Sequence, residues 1–569
     1  MVKKVYIIFK THLDMGFTDY SENIVKRYLE EYIPNAIKTA YAQKDTDYKY
    51  IWTTGSWLVW EALKYDRDGV VEKAINDGLL KWHGLPYTGH TEYMNRELFE
   101  YGLSLSKKLD ERFGKKTLAA KMSDVPGHTV AMVPLLADAG IELLHIGVNP
   151  ATPVPDVPKI FRWKRGEKSI VVMYNGGGYG DYFELDDIAV GFGVTGDNLG
   201  PQGGEELEKV YREAEEKYPG AEIVAATLDD VAEAIRGMEF PVVENEIGDS
   251  WIHGVGTDPT KTRAFRSVLR QNKDWSLDFS DNLLVVPEHT WGLDLKTFFH
   301  DEEHYFIDDL KNADDIDKME RSWEEQREFV YKAAEIAGID ISEDMKVDVP
   351  DVSEMREYNG TPTADVIYQL FDRRDCERYI RDYLIDKREW AVWDFTKAGL
   401  PEYEGGTFKA EVKKAWTDGE KKVFYLEFKE DIKKFAGLPD VYVTEENEKV
   451  EISWFGMKKN RMPNAFWLKL NGFEEKWELE KLGDWINPED ALGHKHLHSC
   501  MKVRNYGFEI EMLDAPLVAP FGRHMYEWKI PAQEQDLYFN LYNNIWNTNF
   551  PMWFSDDAKF RFVIKERNL

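Results

Sequence analysis

The chain has 569 residues, 43% hydrophobic and 14% aromatic, which is enough apolar material for several folded domains. Its 104 acidic and 72 basic residues give a formal net charge of −32, which opposes binding to nucleic acids and to anionic membranes. Two cysteines, Cys376 and Cys500, are too few for a disulfide framework, and no run of 18 or more apolar residues occurs. These features predict a soluble cytoplasmic protein that binds neither nucleic acid nor a membrane.

Short apolar runs alternate with amphipathic stretches up to about residue 275. The pattern predicts strands at 5–10, 48–53, 79–83, 116–122, 143–148, 169–174 and 222–226, and helices at 20–43, 68–78, 95–113, 129–139 and 205–217. Such alternation favours a mostly parallel sheet, either a barrel or an open one. Active sites of these sheets lie at the carboxyl ends of the strands.

Two potential metal ligands follow the first predicted strand, in Thr11-His12-Leu13-Asp14-Met15-Gly16. On an extended chain, residues two apart point to the same side, so His12 and Asp14 are expected to leave the strand side by side. A nitrogen and an oxygen donor suit a borderline metal such as zinc. The residues alone also permit a structural role, with His12 bonded to a loop and Asp14 capping the next helix.

A second polar turn, Asp124-Val125-Pro126-Gly127-His128-Thr129, follows the predicted strand at 116–122. Asp124 is therefore expected at another carboxyl end of the sheet. By itself, an aspartate in this position is also a usual helix cap.

The sequence pattern changes in the rest of the chain. The region 276–350 is charged and mostly helical in pattern, whereas 351–569 has short alternating runs separated by turn residues. This second pattern is typical of an antiparallel β-sandwich. The predicted fold class is therefore α/β, with a β-rich C-terminal part.

Together, the two turns resemble glycoside hydrolase family 38, the zinc-dependent α-mannosidases. The resemblance is clear over about residues 3–150. It implies that His12 and Asp14 bind zinc, and that Asp124 is both a third ligand and the nucleophile. It also implies a seven-stranded β/α barrel over 1–275, a helical segment over 276–350 and a mainly antiparallel β-sandwich over 351–569.

The family's fourth ligand lies in a His-His-Asp-x-x-x-Gly string that this sequence lacks. The nearest counterpart is Pro287-Glu288-His289-Thr290-Trp291-Gly292, in which His289 is the candidate. The rival is the triplet His494, His496 and His498, which on a strand would face one side. The triplet is also compatible with a plain polar strand face.

The general acid and the substrate contacts depend on looser matches. The family's acidic residue before a Trp-x-Gly segment resembles Gly248-Asp249-Ser250-Trp251, which indicates Asp249 and leaves Glu246, His253 and Asp258 open. The residues predicted to bind substrate are Trp57, Glu92, Tyr93, His253 and Trp291. The glycine-rich stretch 175–180 is interpreted as a flexible loop over the site.

The leading functional hypothesis is retaining hydrolysis of an α-glycoside, with α-mannoside as the default sugar and Zn²⁺ as the cofactor. One alternative is another metal-dependent carbohydrate enzyme on the same barrel, such as a deacetylase or a lyase. A second is a non-catalytic sugar-binding protein, and a third is an interaction protein. The sugar, the linkage, the aglycone and assembly into a homo-oligomer are left open.

Overall fold

The computed structural model describes residues 1–300, 304–310, 315–474, 476–528 and 536–567. The chain divides into two compact units. Unit 1 comprises Met1–Thr91, Arg96–Ile247 and the short segment Pro287–Thr290; unit 2 comprises Glu92–Asn95, Gly248–Val286 and Trp291–Leu569.

Unit 1 alternates strands and helices. Its strands are β1 (Lys4–Thr11), β2 (Trp52–Gly55), β3 (Leu80–His83), β4 (Ala119–Asp124), β5 (Leu143–Val148), β6 (Ile160–Arg165), β7 (Lys168–Asn175), β8 (Phe183–Leu185), β9 (Ile188–Thr195), β10 (Glu222–Ala225) and β11 (Val242–Val243). Its helices are α1 (Ser21–Arg27), α2 (Ile33–Gln43), α3 (Ser56–Tyr65), α4 (Val70–Asn76), α5 (Arg96–Phe113), α6 (Met132–Asp138), α7 (Gly204–Lys217) and α8 (Leu228–Ala234).

The strands of unit 1 form two ladders. One has the order β3-β2-β1-β9-β8, with β10 also paired to β1, and the other has the order β11-β6-β7-β5-β4. The pairs β1–β9, β1–β2, β2–β3 and β4–β5 are parallel, so their carboxyl ends lie at a common edge. The predicted parallel α/β architecture is therefore confirmed. The seven-stranded barrel stays a prediction, because the described strands occur as two ladders.

Apolar side chains of both ladders pack into one core, which includes Ile8, Leu143, Met173 and Val190. β1 is buried along nearly its whole length, as expected for a strand with parallel neighbours on both sides. This burial fixes the direction in which the residues after Thr11 leave the sheet.

Most predicted strands are present, with shifted bounds. The strand predicted at 48–53 begins at Trp52, and the one predicted at 116–122 extends from Ala119 to Asp124. Four of the described strands of unit 1 do not correspond to a predicted strand: β6, β8, β9 and β11.

Unit 2 contains helices and two antiparallel sheets. The helices are α9 (Pro259–Gln271), α10 (Leu295–Phe298), α11 (Ile307–Leu310), α12 (Ile316–Ala337), α13 (Ser342–Met345), α14 (Arg373–Tyr383), α15 (Glu389–Phe395) and α16 (Glu430–Ala436). The predicted helical segment 276–350 thus contains α10–α13, while 301–303 and 311–314 lie outside the described residues. Among the described residues, no helix combines the length and the apolar character needed to span a bilayer.

The strands of unit 2 are β12 (Arg356–Glu357), β13 (Ala364–Leu370), β14 (Gly406–Lys409), β15 (Glu411–Thr417), β16 (Lys421–Glu427), β17 (Asp440–Glu446), β18 (Lys449–Phe455), β19 (Asn464–Glu474), β20 (Glu478–Lys481), β21 (Asp484–Ile486), β22 (His498–Ser499), β23 (Lys502–Arg504), β24 (Phe508–Met512), β25 (Leu517–Ala519), β26 (Asp536–Asn544) and β27 (Ala558–Glu566). They form sheets of order β12-β15-β16-β17-β18-β27-β24-β23-β20-β21 and β14-β13-β19-β26-β25-β22. The predicted antiparallel C-terminal part is confirmed.

Candidate metal centre

The carboxyl ends of three strands of unit 1 carry the polar side chains. His12 follows β1, and its N–H donates to the carbonyl of Thr195, the last residue of β9 (2.9 Å). Asp124 is the last residue of β4. The segment Pro287–Thr290 joins this edge because the N–H of His289 donates to the carbonyl of Thr88 (3.3 Å). The backbone therefore places residues from distant parts of the sequence at one edge.

Four of the predicted residues converge there. Oδ1 of Asp14 lies 3.2 Å from Nε2 of His12 and 3.0 Å from Nε2 of His289. Oδ2 of Asp124 lies 3.5 Å from the same nitrogen of His289. His12, Asp14 and His289 each offer a ligand atom within 4.8 Å of the others. The predicted ligands His12, Asp14, Asp124 and His289 are thus brought together.

The geometry of these contacts fits a bound cation. Among the described residues, three buried atoms of this cluster have no hydrogen-bond partner: Nε2 of His12, Nε2 of His289 and Oδ2 of Asp14, although the nitrogens lie close to a carboxylate. Atoms that lie close together without hydrogen bonding to one another are expected where all of them face a common point, such as a bound cation. Ligands about 2.0–2.2 Å from a tetrahedral zinc ion lie roughly 3.3–3.6 Å apart, close to the distances seen here. The donor set of imidazole and carboxylate also suits zinc.

The electrostatics of the cluster favour charge. Burial by itself would raise the pKa of Asp14, but His12 and His289 together hold it well below the ordinary value. For Asp124, burial is likewise outweighed, by the contact with His289 and the charge of His12, so that its pKa is lowered. Burial opposes the charged form of His289, yet Glu288, Asp124 and Asp14 raise its pKa well above the usual value. Several carboxylates therefore share a buried space that only positive charge stabilises.

Two further residues orient the histidines. Oε1 of Glu288 lies 2.5 Å from Nδ1 of His289, and Oε2 of Glu288 accepts from the N–H groups of Thr290 (2.9 Å) and Met15 (3.3 Å). The hydroxyl of Ser123 lies 2.8 Å from Nδ1 of His12. Each imidazole thus uses Nδ1 for a protein contact and directs Nε2 to the cluster. Partners of this kind fix the ring orientation of metal-binding histidines.

Asp124 has an unusual backbone conformation. Its φ is +81°, in the left-handed region that few residues other than glycine adopt. Its Oδ1 accepts from Nδ2 of Asn149 (3.0 Å) and from the hydroxyl of Tyr179 (2.7 Å). Strain of this type is found at functional sites, where the surrounding contacts over-determine the conformation.

Asp197 is the residue that the sequence did not reveal. It follows β9, and its Oδ1 lies 3.0 Å from the hydroxyl of Tyr179, the same hydroxyl that contacts Asp124. A tyrosine hydroxyl carries one proton and cannot donate to two carboxylates at once. Both contacts are satisfied when one carboxyl group is protonated. Recognition of 188–195 as a strand would have placed Asp197 at the same edge as Asp14.

The electrostatics favour Asp197 as the partner that holds the proton. Burial, and next the charge of Asp14, raise its pKa to about 6; His12 opposes this, Asp124 adds to it and the Tyr179 contact lowers it. The pKa of Asp124 moves in the opposite direction. Two carboxyl groups with divergent pKa values, joined by one hydroxyl, can act as an acid and a nucleophile.

Asn198 connects the turn that contains the predicted ligand Asp14 with Asp197. Its Oδ1 accepts from the N–H of Asp14 (3.0 Å), and its Nδ2 donates to the carbonyls of Asp14 (3.1 Å) and Gly16 (3.2 Å). One amide side chain therefore holds the turn after β1 against the turn after β9.

The remaining predicted site residues have these positions. Trp57 is buried on α3 in unit 1, directly after β2, and its role in substrate binding stays a prediction. In unit 1, Oε2 of Glu246 accepts from the N–H of Val130 (2.7 Å) and from the hydroxyl of Thr129 (3.1 Å), which fixes the turn after Asp124.

The other candidates lie in unit 2. Oδ1 of Asp249 accepts from the N–H of Trp251 (2.9 Å), and Asp258 caps α9 by accepting from the N–H of Lys261 (3.0 Å). The ring centroid of His253 lies 4.2 Å from that of Trp546. Asp249, His253, His494 and His496 line one cavity of about 20 Å³, which has room for roughly one water molecule.

Three predicted substrate contacts are buried in unit 2. Glu92 lies 2.7 Å from Nζ of Lys481 and 2.9 Å from Nζ of Lys495. The hydroxyl of Tyr93 lies 3.1 Å from that of Thr262, and its ring centroid lies 5.8 Å from that of Trp291. Their roles toward a substrate stay predictions.

The histidine triplet differs from its predicted form. Only His498 lies in a strand, β22, so the three histidines do not share one strand face. Nδ1 of His498 lies 3.1 Å from Nζ of Lys481, and the ring centroid of His494 lies 5.3 Å from that of Trp528. His289 is accordingly the histidine that accompanies His12 and Asp14.

Two family models match parts of the chain. Residues 3–176 match the N-terminal domain of the glycosyl hydrolases of family 38, and residues 255–360 match a domain of unknown function, DUF5054. No curated protein sequence matches the chain.

Two solved structures are similar over nearly the whole chain. An α-mannosidase from Enterococcus faecalis V583 is 10% identical, with 99% of this chain and 87% of that chain covered and a TM-score of 0.61. A protein in glycosyl hydrolase family 38 from Enterococcus faecalis is 9% identical, with 100% and 86% covered and a TM-score of 0.57. At these identities the likeness concerns the fold.

Proposed function

We propose that this chain, whose residues 3–176 match the N-terminal domain of glycosyl hydrolase family 38, is a zinc-dependent retaining glycoside hydrolase of that family, acting on α-glycosides and by default on α-mannosides. The observation that carries the proposal is the cluster of His12, Asp14, Asp124 and His289, whose Asp124 shares the hydroxyl of Tyr179 with Asp197. The proposed metal ligands and the proposed acid–nucleophile pair thus share one edge of unit 1.

The four ligands of the proposed metal are His12, Asp14, Asp124 and His289. A zinc ion held by them would bind adjacent hydroxyl groups of the sugar and so orient the ring. Glu288 and Ser123 keep the two imidazoles turned toward the cluster through Nδ1. Their contribution is to hold the donor atoms in place before substrate arrives.

Asp124 is the proposed nucleophile. Its lowered pKa keeps the carboxylate ionised, and Asn149 and Tyr179 fix Oδ1. A carboxylate oxygen attacks the anomeric carbon and forms an ester with the sugar, while the bond from the anomeric carbon to the leaving oxygen breaks. Water later attacks the same carbon and releases Asp124, so the configuration is retained.

Asp197 is the proposed general acid. Its raised pKa lets the carboxyl group hold a proton that it gives to the leaving oxygen in the first step. The resulting carboxylate takes a proton from the attacking water in the second step. Asp249 remains the candidate indicated by the sequence, and its replacement serves as the comparison below.

The spacing of the two carboxyl groups supports retention. Because one hydroxyl contacts both, the two oxygens are no further apart than its two hydrogen bonds laid end to end, 2.7 Å and 3.0 Å. Retaining pairs are about 5–5.5 Å apart, whereas inverting pairs leave a further gap of a few ångströms for water.

Covalent trapping tests the proposal and separates it from deacetylation or eliminative cleavage. An activated fluorinated α-glycoside slows release of the sugar, so a retaining enzyme accumulates the labelled ester. We expect the protein to gain the mass of one sugar, located on the peptide that contains Asp124. Turnover of the glycoside without any label on Asp124 would show that the nucleophile is wrong; a deacetylase or a lyase would form no ester at all.

A further inference from the structure

Lys121 is a buried lysine close to the proposed pair. It lies on β4, three residues before Asp124, and is 1% exposed. Its Nζ donates to the backbone carbonyl of Tyr179 (2.6 Å) and lies 2.7 Å from Nδ1 of His145 on β5. The side chain therefore connects β4 to the residue whose hydroxyl joins the two carboxyl groups.

The charge state of Lys121 suits this contact. Burial, followed by the charge of Lys10, holds its pKa well below the usual range. Burial also lowers the pKa of His145, with smaller effects of Lys121 and Lys10. A neutral amine has two hydrogens, one for the carbonyl of Tyr179 and one for Nδ1 of His145. Nζ of Lys121 thus makes both contacts at once.

The backbone around Tyr179 is seated closely on the sheet. A Cβ at Gly147 on β5 would lie 2.5 Å from the carbonyl oxygen of Tyr179, so only glycine permits this approach. Nδ2 of Asn175 donates to the carbonyl of Gly178 (2.9 Å). The glycine-rich stretch, interpreted from the sequence as a flexible loop, is therefore held at several points next to Tyr179.

We propose that Lys121 is a positioning residue that fixes the hydroxyl of Tyr179 between Asp124 and Asp197 by holding the backbone carbonyl of Tyr179. The proposal rests on the proposed function and adds a residue that acts through Tyr179 alone. If the carbonyl is released, the hydroxyl no longer contacts both carboxyl groups at once. Misplacement by about 1 Å at a reacting centre lowers rates by up to roughly 100-fold.

A double-mutant cycle with Lys121→Met and Tyr179→Phe tests it on an aryl α-mannoside. We expect each variant to lower kcat by roughly 10- to 100-fold with little change in KM, and the double variant to be no slower than the slower single variant. The proposal is overturned if the two reductions in kcat multiply in the double variant. It is also overturned if Lys121→Met leaves kcat unchanged or changes only KM.

The matched control is Lys397→Met. Lys397 in unit 2 is also buried with a pKa well below the usual range, and its Nζ donates to the backbone carbonyl of Trp546 (2.8 Å). Lys397→Met removes the same type of hydrogen bond to a backbone carbonyl. We therefore expect the reductions in kcat caused by Lys397→Met and Tyr179→Phe to multiply in the double variant. The coupling of Tyr179→Phe with Lys397→Met should therefore be weaker than its coupling with Lys121→Met. If the two couplings are equally strong, the effect is a general loss of stability and the proposal is overturned.

Hydrogen exchange provides a readout that does not need activity. Amides of 176–181 should exchange faster in Lys121→Met than in wild type, and at wild-type rates in Lys397→Met. Should Lys121→Met fail to fold, Gly147→Ala displaces the same carbonyl and takes its place in both tests. Unchanged exchange in the folded variant overturns the positioning role, whereas absent labelling of Asp124 in wild type overturns only the proposed function.

Discussion

Nε2 of His289 lies 3.0 Å from Oδ1 of Asp14, although Asp14 follows the first strand and His289 belongs to a four-residue segment much later in the chain. Both residues are almost completely buried. Within the part of the chain that the structure describes, neither this nitrogen nor Oδ2 of Asp14 has a hydrogen-bond partner. Burial of these polar groups is therefore energetically unfavourable unless a cation binds between them.

Zinc content is the most direct consequence of this contact. We expect about one zinc ion per wild-type chain and a loss of that ion in His12→Ala and His289→Ala, measured by elemental analysis after dialysis. His524→Ala is the control, since His524 pairs with Glu527 in unit 2 (2.7 Å) and should leave zinc content unchanged. Wild-type protein that stays metal-free after zinc is supplied would contradict the proposed site.

Glu288 should tune the affinity for the metal. Glu288→Gln weakens the contact with Nδ1 of His289 while keeping the size of the side chain. Replacement of such a partner lowers metal affinity by roughly 10- to 100-fold. Titration with a competing chelator measures this, and equal affinities in Glu288→Gln and wild type would show that Glu288 does not orient His289.

Asp124→Asn should abolish turnover without loss of structure. Asparagine tolerates a φ of +81° better than most residues, so the backbone is preserved while the nucleophile is removed. Asp124→Ala should be inactive and less stable, because alanine in the left-handed region costs roughly 1–2 kcal/mol. Rates on an aryl glycoside and melting temperatures separate the two effects; a near-normal rate in Asp124→Asn would refute the assignment.

The general acid can be identified from its dependence on the leaving group. Asp197→Asn should lower kcat by roughly 10²- to 10⁴-fold on an alkyl glycoside, whose leaving oxygen needs a proton. The loss should be far smaller on a dinitrophenyl glycoside, which leaves without protonation. Asp249→Asn is the matched comparison, and a stronger dependence on the leaving group there than in Asp197→Asn would reverse the assignment.

The raised pKa of Asp197 also predicts a dependence of stability on pH in metal-free protein. A carboxyl group whose pKa is about 6 in the folded state and 3.8 unfolded is stabilising in its protonated form, and this stability is lost as the pH rises through 6. Asp197→Asn should therefore be more stable than wild type at pH 7.5, by up to about 3 kcal/mol, and lose this advantage by pH 4. Melting temperatures across this range measure it. A constant difference would mean that Asp197 has an ordinary pKa.

Much of the site was readable because its residues follow apolar strands. The burial of β1 and the period of two along it predict that His12 and Asp14 lie together, and the end of β4 predicts the place of Asp124. His289 was identified by resemblance alone, because no local pattern indicates that 287–290 joins unit 1.

Asp197 was missed for a physical reason. β9, Ile188–Thr195, contains glycines that interrupt the apolar pattern of a strand. At Gly193 a Cβ would lie 2.7 Å from a ring carbon of Phe9 on β1, so the glycine is required by close packing between neighbouring strands. Such tertiary contacts leave no trace in local periodicity, and the acid at the end of β9 was lost with the strand.

The segment Pro287–Thr290 also sets an order of events during synthesis. A nascent chain that has reached Ile247 already carries three of the four proposed ligands and the proposed acid, but not His289. Full coordination must wait until the ribosome has passed residue 290 and this segment has paired beside Gly89. Zinc delivered to a shorter fragment would meet an incomplete set of the proposed donors, so metal loading would report that the chain has advanced past residue 290.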